Sequence, residues 1–178
     1  MTKADAGARG LITLVLGGAR SGKSRYAEWL IATHPQPWIY LATAEARDEE
    51  MAERIAAHKA RRNAGWQTIE APHDLAEALR AAPAGAAVLI DCLTLWLSNL
   101  IERGTVIEIQ IAKLQEALAE RVGATVIVSN EVGLGIVPDN ALARRFRDLQ
   151  GNLNQTLAAQ AARVIIMVAG LAAAVKSP

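Results

Sequence analysis

The sequence predicts an α/β fold: a single P-loop domain built on a mainly parallel, doubly wound sheet flanked by helices. Three observations carry that prediction. Continuously apolar runs of strand length alternate with longer helical stretches, the pattern of strands buried on both faces of a parallel sheet. A glycine-rich loop, Gly17-Gly18-Ala19-Arg20-Ser21-Gly22-Lys23-Ser24, follows the first apolar run and opens the first helical one. The chain has 178 residues, the length of one compact domain.

The elements follow in order. Strands are expected over residues 11–16, 38–42, 86–90, 124–128 and 164–168, with a short extra strand over 66–69. Pro35 and Pro37 lead into the second of these. Helices are expected over 24–32, 45–62, 74–80, 93–102, 108–121 and 140–162. The segment 45–62 is charged and polar on most faces. Asp74 is placed to cap the helix after it. Gly104 separates 93–102 from 108–121, and Gly151 is expected to break the last helix in two. Residues 1–10 read as a short flexible leader, and 11–178 as the P-loop transferase domain. In such sheets the ligand crevice lies beyond the carboxyl ends of the strands. Here those ends are Leu16/Gly17, Ala42/Thr43, Ile90/Asp91, Ser129/Asn130 and Val168/Gly170.

Composition narrows the partners. Nineteen basic residues against eighteen acidic give a formal charge of +1, with no electrostatic footprint for nucleic acid or an anionic membrane. The single cysteine, Cys92, has no partner for an internal disulfide, and no Cys/His cluster has zinc spacing. No apolar run reaches a membrane span. A cytoplasmic protein is expected. Phe occurs once, so the core must be built from small aliphatics.

The loop carries the first chemistry. In G-x-x-x-x-G-K-S the glycines allow positive φ and close backbone approach to phosphate oxygens. Successive N–H groups then form an anion nest at a helix N-terminus. Lys23 would neutralise β- and γ-phosphate charge, and Ser24 would ligate Mg²⁺. Arg20 and Ser21 either contact phosphate or face solvent. Asp91 ends an apolar strand and is a Walker-B-type acid, a nucleotide-hydroxyl contact or a base; the plainer reading is a helix cap before Leu93. Glu131, after the next strand, should also reach the crevice. No N-K-x-D tetrapeptide exists, and the one D-x-x-G match, from Asp148 to Gly151, lies in a helical stretch. A regulatory GTPase is therefore set aside in favour of a small-molecule kinase or transferase. His58 precedes three basic residues, Lys59, Arg61 and Arg62, within four positions. An imidazole is a good nucleophile at phosphorus, and flanking cations offset phosphate charge. The plainer reading is a solvated histidine on a charged helix. His34 and His73 read as structural or exposed. Arg144, Arg145 and Arg147 read as a solvated helix face, or as a phosphate or subunit contact.

Several segments together resemble one family, the bifunctional adenosylcobinamide kinase/adenosylcobinamide-phosphate guanylyltransferases of cobalamin biosynthesis. They are residues 17–25, Tyr40-Leu41-Ala42-Thr43-Ala44, Arg54-Ile55-Ala56-Ala57-His58-Lys59, Trp66-Gln67-Thr68-Ile69-Glu70 and Leu89-Ile90-Asp91-Cys92-Leu93-Thr94. They continue with residues 129–138, 140–148 and Asn154-Gln155. The similarity spans about 11–176, and Asn130-Glu131-Val132-Gly133 with its Gly-Ile-Val-Pro continuation is more specific than the P-loop. The resemblance implies two reactions. One phosphorylates adenosylcobinamide with ATP or GTP. The other forms a GMP–histidine phosphoramidate from GTP and passes GMP to the phosphorylated product, giving adenosylcobinamide-GDP. The guanylylated histidine maps onto His58. Nucleotide contacts map onto Gly17, Gly18, Ala19, Arg20, Ser21, Gly22, Lys23, Ser24, Ala42, Thr43, Ala44, Lys59, Ala60, Arg61, Arg62, Glu70 and Asp91, with Mg²⁺ on Ser24 and Asp91. Some relatives have glycine and an acid where this chain has Ala60 and Arg61, and Glu where it has Asp91. Relatives form trimers, so the resemblance implies a homo-oligomer. The competing readings are a single-activity P-loop kinase with an inert His58 and a nucleotide-sensing protein without chemistry. A lysine-type nucleotidyltransferase is disfavoured, because residues 59–62 lack K-x-D-G.

Overall fold

The computed structural model describes residues 10–62 and 64–177, without the side chains of Arg54 and Arg61. The expected leader lies outside the described residues but for Gly10, whose N–H donates to the Arg121 carbonyl.

Among the described residues seven strands form one sheet. They are β1 (Ile12–Gly17), β2 (Trp38–Ala42), β3 (Trp66–Glu70), β4 (Ala87–Asp91), β5 (Thr125–Val128), β6 (Arg163–Val168) and β7 (Leu171–Lys176), in the order β3-β2-β4-β5-β1-β6-β7. All neighbouring pairs are parallel except β6–β7. Six helices connect them: α1 (Lys23–Ala32), α2 (Glu49–Arg61), α3 (Leu75–Ala81), α4 (Leu93–Arg103), α5 (Ile107–Glu120) and α6 (Ala141–Gln160).

The apolar runs do not alternate with polar residues because both faces of the sheet are covered. Ile12, Leu14, Ile39, Leu41, Val88, Ile90 and Ile127 pack into one core with α3 to α6. The residues between them, among them Val15, Tyr40, Leu89, Val126 and Val128, pack into a second core with Ala27 and Ile31 of α1. Period-two geometry thus divides each apolar strand between two cores. Trp96 of α4 is the largest fully buried side chain. Its Nε1–H donates to the His73 carbonyl, so the indole is buried without losing its hydrogen bond.

The structure differs from the sequence expectations at several points. Segment 66–69 is a full strand, pairing residue for residue with β2. Strand β7 was not anticipated. It is a short Ala-rich return after the Ala169–Gly170 turn, where both residues have positive φ. The expected helix 45–62 begins only at Glu49, because Asp48 is its N-cap and accepts from the Met51 N–H. Asp74 stands at the N-cap of α3 but makes no side-chain cap bond. Gly151 does not break α6, which runs continuously. A lone glycine costs about 1 kcal/mol against alanine, and the buried Gln150, Leu153, Asn154 and Leu157 hold the helix through it. Gly104 does end α4, in the left-handed conformation at φ 68°.

Candidate active site

The sheet register assembles the site. Glu70, Ala42, Asp91 and Val128 lie in one row across β3, β2, β4 and β5. Val128 pairs with Val15 of β1, and β1 runs on to Gly17, where the P-loop starts. Asp91 and the P-loop are therefore separated by one strand, at the same edge of the sheet.

The loop itself needs glycine at two places. Gly17 has φ 148°, and a Cβ there would come within 2.5 Å of the Met167 carbonyl oxygen. Gly22 has φ 95° as the N-cap of α1. Lys23 is buried and folds over the loop, its Nζ donating to the Gly18 carbonyl at 2.5 Å. Ser21 is buried with a hydroxyl that has no hydrogen-bond partner among the described residues, so it does not point to solvent. Arg20 and Ala19 are exposed.

A cleft of about 530 Å³, open mouth included, joins the P-loop to α2. This lies within the roughly 300–1,000 Å³ usual for ligand pockets. Of the residues proposed from sequence, Ser24, Ala42, Ala44, His58, Lys59, Arg62, Glu70 and Asp91 line it. Thr43 and Ala60 do not, and neither do Gly17, Gly18, Ala19, Arg20, Ser21, Gly22 and Lys23 of the loop. Thr43 is fully buried, and its hydroxyl is held between the backbone N–H and carbonyl of Cys92 at 2.7 Å each. Its side chain braces the ends of β2 and β4, as does buried Asn99, which donates to the Thr43 and Pro72 carbonyls. The Arg61 side chain, also expected at the nucleotide, lies outside what the structure describes. Glu131 is not part of the cleft wall. Its carboxylate accepts from the Gly133 N–H, and its own N–H donates to the Gly17 carbonyl.

Two further contacts define the walls. Lys59, expected as a free phosphate cation, is ion-paired with Glu70 at 2.9 Å. The pair is half exposed, so a phosphate can compete for the ammonium at small cost. Arg62 stacks over the Tyr40 ring at 3.7 Å, and one terminal nitrogen is buried without a hydrogen-bond partner among the described residues. Tyr40 donates its O–H to Asp91 Oδ2 at 3.1 Å. Burial, then the Asp91 charge, pushes the phenol well above its ordinary range, so it remains a donor. Asp91 is thus the last strand residue with an oriented carboxylate. The helix cap considered for it falls to Cys92, which makes no side-chain cap bond.

Sequence reasoning missed Tyr40, Met51, Ile55, Cys92 and Leu95 as cleft residues. The signal for two of them was present: Met51, Ile55, His58 and Arg62 recur at helical spacing, which marks one face of α2. His34 and His73 stand outside the cleft. The His34 carbonyl accepts from Trp38 Nε1, and His73 lies 3.3 Å from Glu45.

The donors facing this cleft suit Mg²⁺. Ser24 and Asp91 offer oxygen only, and no group of three or more His, Cys, Asp or Glu forms a metal cage among the described residues. Mg²⁺ is typically held by one or two carboxylates together with substrate phosphates, which is what two protein ligands beside a phosphate nest would provide.

A phosphate-nest loop between strand and helix, with an acid one strand away, defines a P-loop α/β nucleotide-binding protein. Solved structures agree on the fold: a KaiC-like protein from Pyrococcus horikoshii (TM-score 0.50, 17% identity, 89% of this chain and 71% of that one) and the RadB recombinase (TM-score 0.52, 16% identity, 89% and 74%). The family model described as cobinamide kinase / cobinamide phosphate guanyltransferase matches residues 13–175, and the chain belongs to that family. Curated relatives are the bifunctional adenosylcobalamin biosynthesis proteins CobP of Pseudomonas aeruginosa, 50% identical over 89% of this chain and 93% of the relative, and CobU of Salmonella typhimurium, 43% identical over 93% and 100%. Among the described residues no helix is long and apolar enough to cross a membrane.

Proposed function

We propose that this chain phosphorylates adenosylcobinamide with ATP or GTP and then transfers GMP to the product through His58, as a cytoplasmic enzyme of cobalamin biosynthesis. The observation that supports this most is that Ser24, Asp91 and His58 line one cleft. In the kinase step the acceptor hydroxyl oxygen attacks the γ-phosphorus, its bond to the β–γ bridging oxygen breaks, and the nucleoside diphosphate leaves. Lys23 and the loop N–H groups hold the phosphates in line. Mg²⁺, held by Ser24 and Asp91, would neutralise charge on the phosphate oxygens. In the second step an imidazole nitrogen of His58 attacks the α-phosphorus of GTP. A P–N bond forms and pyrophosphate leaves. A phosphate oxygen of adenosylcobinamide phosphate then attacks the same phosphorus, the P–N bond breaks, and adenosylcobinamide-GDP results. Lys59, released from Glu70, and Arg62 stabilise the phosphoryl oxygens. Attack needs the imidazole within roughly 3–3.5 Å of phosphorus.

Intact-mass analysis after incubation with GTP and Mg²⁺ tests this. One GMP per chain is expected, acid-labile as a phosphoramidate and absent from His58→Ala. That variant should keep some phosphorylation of adenosylcobinamide, whereas Lys23→Ala should lose both activities. GMP on Lys59, or full guanylyl transfer by His58→Ala, would overturn the assignment.

A further inference from the structure

The loop after β5 leaves a second concavity that the nucleotide does not need. It lies between residues 133–137 and the exposed face of α6, and its space is about 770 Å³ with the open mouth. Three glycines, Gly133, Gly135 and Gly151, form part of its surface. A Cβ on Gly135 or Gly151 would meet no atom within 4 Å, so the floor is flat and unobstructed. Asn152 and Gln155 of α6 add amide groups, and the Arg147–Asp148 pair at 3.4 Å adds nearly balanced charge. Lys59, Arg62 and His58 all stand in the other cleft. A phosphate or nucleotide therefore has little reason to prefer this groove.

The loop that walls it is apolar and exposed. Val137, which lines the groove, is 60% exposed, and its loop neighbours Leu134 and Ile136, which do not line it, are 84% and 97% exposed. Such side chains clustered on one loop mark a binding surface rather than chance exposure. The loop is nevertheless anchored at both ends. At the start the Glu131 N–H holds the Gly17 carbonyl. A buried network from α6 fixes the same turn: Ser129 Oγ donates to Asn154 Oδ1, and Asn154 Nδ2 donates to the Asn130 carbonyl. At the end Arg144 donates to the Pro138 and Asp139 carbonyls. The groove is thus walled by an anchored loop, hydrogen-bonded two residues before Gly133 to the first glycine of the phosphate cradle.

Resting on the function proposed above, we infer that this groove is the corrinoid subsite, taking the amide-fringed macrocycle of adenosylcobinamide. The ligand is a broad, flat, uncharged-edged ring with peripheral carboxamides. Glycines admit its face, Val137 meets its apolar edge, and Asn152, Gln155 and Asp148 hydrogen-bond its amides. The acceptor hydroxyl on its aminopropanol arm then reaches over Glu131 towards the γ-phosphate. The same groove serves both half-reactions, since the phosphorylated product keeps the macrocycle.

Corrinoid binding to the full chain is read from the visible absorbance of cobinamide, alongside the KM for adenosylcobinamide and the rate of His58 guanylylation by GTP. Gly151→Phe projects a ring from the floor, where a Cβ meets no atom within 4 Å. It should raise the cobinamide Kd and KM about tenfold or more, while the GTP half-reaction, which needs no acceptor, proceeds at the wild-type rate. Asn152→Ala/Gln155→Ala should raise both severalfold, leaving kcat nearly unchanged. Unaltered corrinoid affinity in both variants overturns the subsite. So does a change of oligomeric mass in Gly151→Phe with affinity retained, which makes the groove a subunit contact. Absence of any GMP adduct in the wild type strikes at the covalent mechanism instead, and the corrinoid titration still decides the groove.

Discussion

One hydroxyl orients the Asp91 carboxylate. Tyr40 fixes one carboxylate oxygen, and Arg62 stacks over the Tyr40 ring as a cation. Asp91→Asn is nearly isosteric and should fold, yet lower turnover more than about tenfold if the carboxylate organises Mg²⁺ or a nucleotide hydroxyl. Tyr40→Phe keeps the ring under Arg62 and removes only the hydrogen bond, worth about 0.5–1.5 kcal/mol. It should therefore cost severalfold in kcat and shift the Mg²⁺ dependence. Unchanged kinetics across a Mg²⁺ titration in both variants would reduce the pair to a structural contact. The neighbouring Cys92 gives a test by pH. Burial, then the Asp91 charge, pushes its thiol up to about 11. In the unfolded chain the thiol ionises near its ordinary value of about 8.5. Between those values the folded state binds more protons, so this group's contribution to stability falls as pH rises through that window. At pH 8.5 the native protein should resist iodoacetamide, and the denatured chain should react readily. Rapid labelling of the native protein would contradict the burial.

Helix α2 carries His58, on which the proposed guanylyl transfer depends. Its ranges in sequence and structure differ by four residues at the start because Asp48 accepts the Met51 N–H. Only the side-chain geometry decides which of several polar residues near 45–50 caps the helix. The helix also carries Glu49 and Glu50 in its first turn, where they complement the helix dipole. Asp48→Ala should destabilise α2 by about 0.5–2 kcal/mol. Hydrogen exchange should accelerate across residues 49–61, and His58 guanylylation should slow severalfold while nucleotide binding by the P-loop persists. Unchanged exchange and adduct formation would show that packing, not the cap, holds α2. The same kind of local competition explains Gly151. Propensity argued for a break, and burial of Gln150, Leu153, Asn154 and Leu157 prevailed.

At the scale of the whole molecule the sheet is closed on neither side. Strand β7 is exposed along its whole length, with Leu171 75% and Val175 68% accessible. An apolar edge strand of this kind invites pairing with another chain, and the family resemblance implies a homo-oligomer. We propose that β7 lies at a contact between copies. Light scattering should give a mass of at least twice the 19.0 kDa chain, and Leu171→Lys/Val175→Lys should lower it. A monomer in the unaltered protein would end that proposal.

Local signals in the sequence were enough for much of this. The P-loop could be read directly because its glycines, lysine and serine must be contiguous. The five buried strands could be read because burial on both faces demands unbroken apolar runs. His58 stood out through its basic neighbours, and the role proposed for it rests on family resemblance rather than spacing. Tertiary structure decided the rest, because the deciding contacts join residues far apart in the chain. The Asp91 carboxylate is oriented by Tyr40, fifty-one positions away. Thr43 is a brace because Cys92 folds onto it. Lys59 is paired because β3 brings Glu70 beside α2. Strand β7 is held by its pairing with β6, since an Ala-rich run has too little β propensity to declare itself.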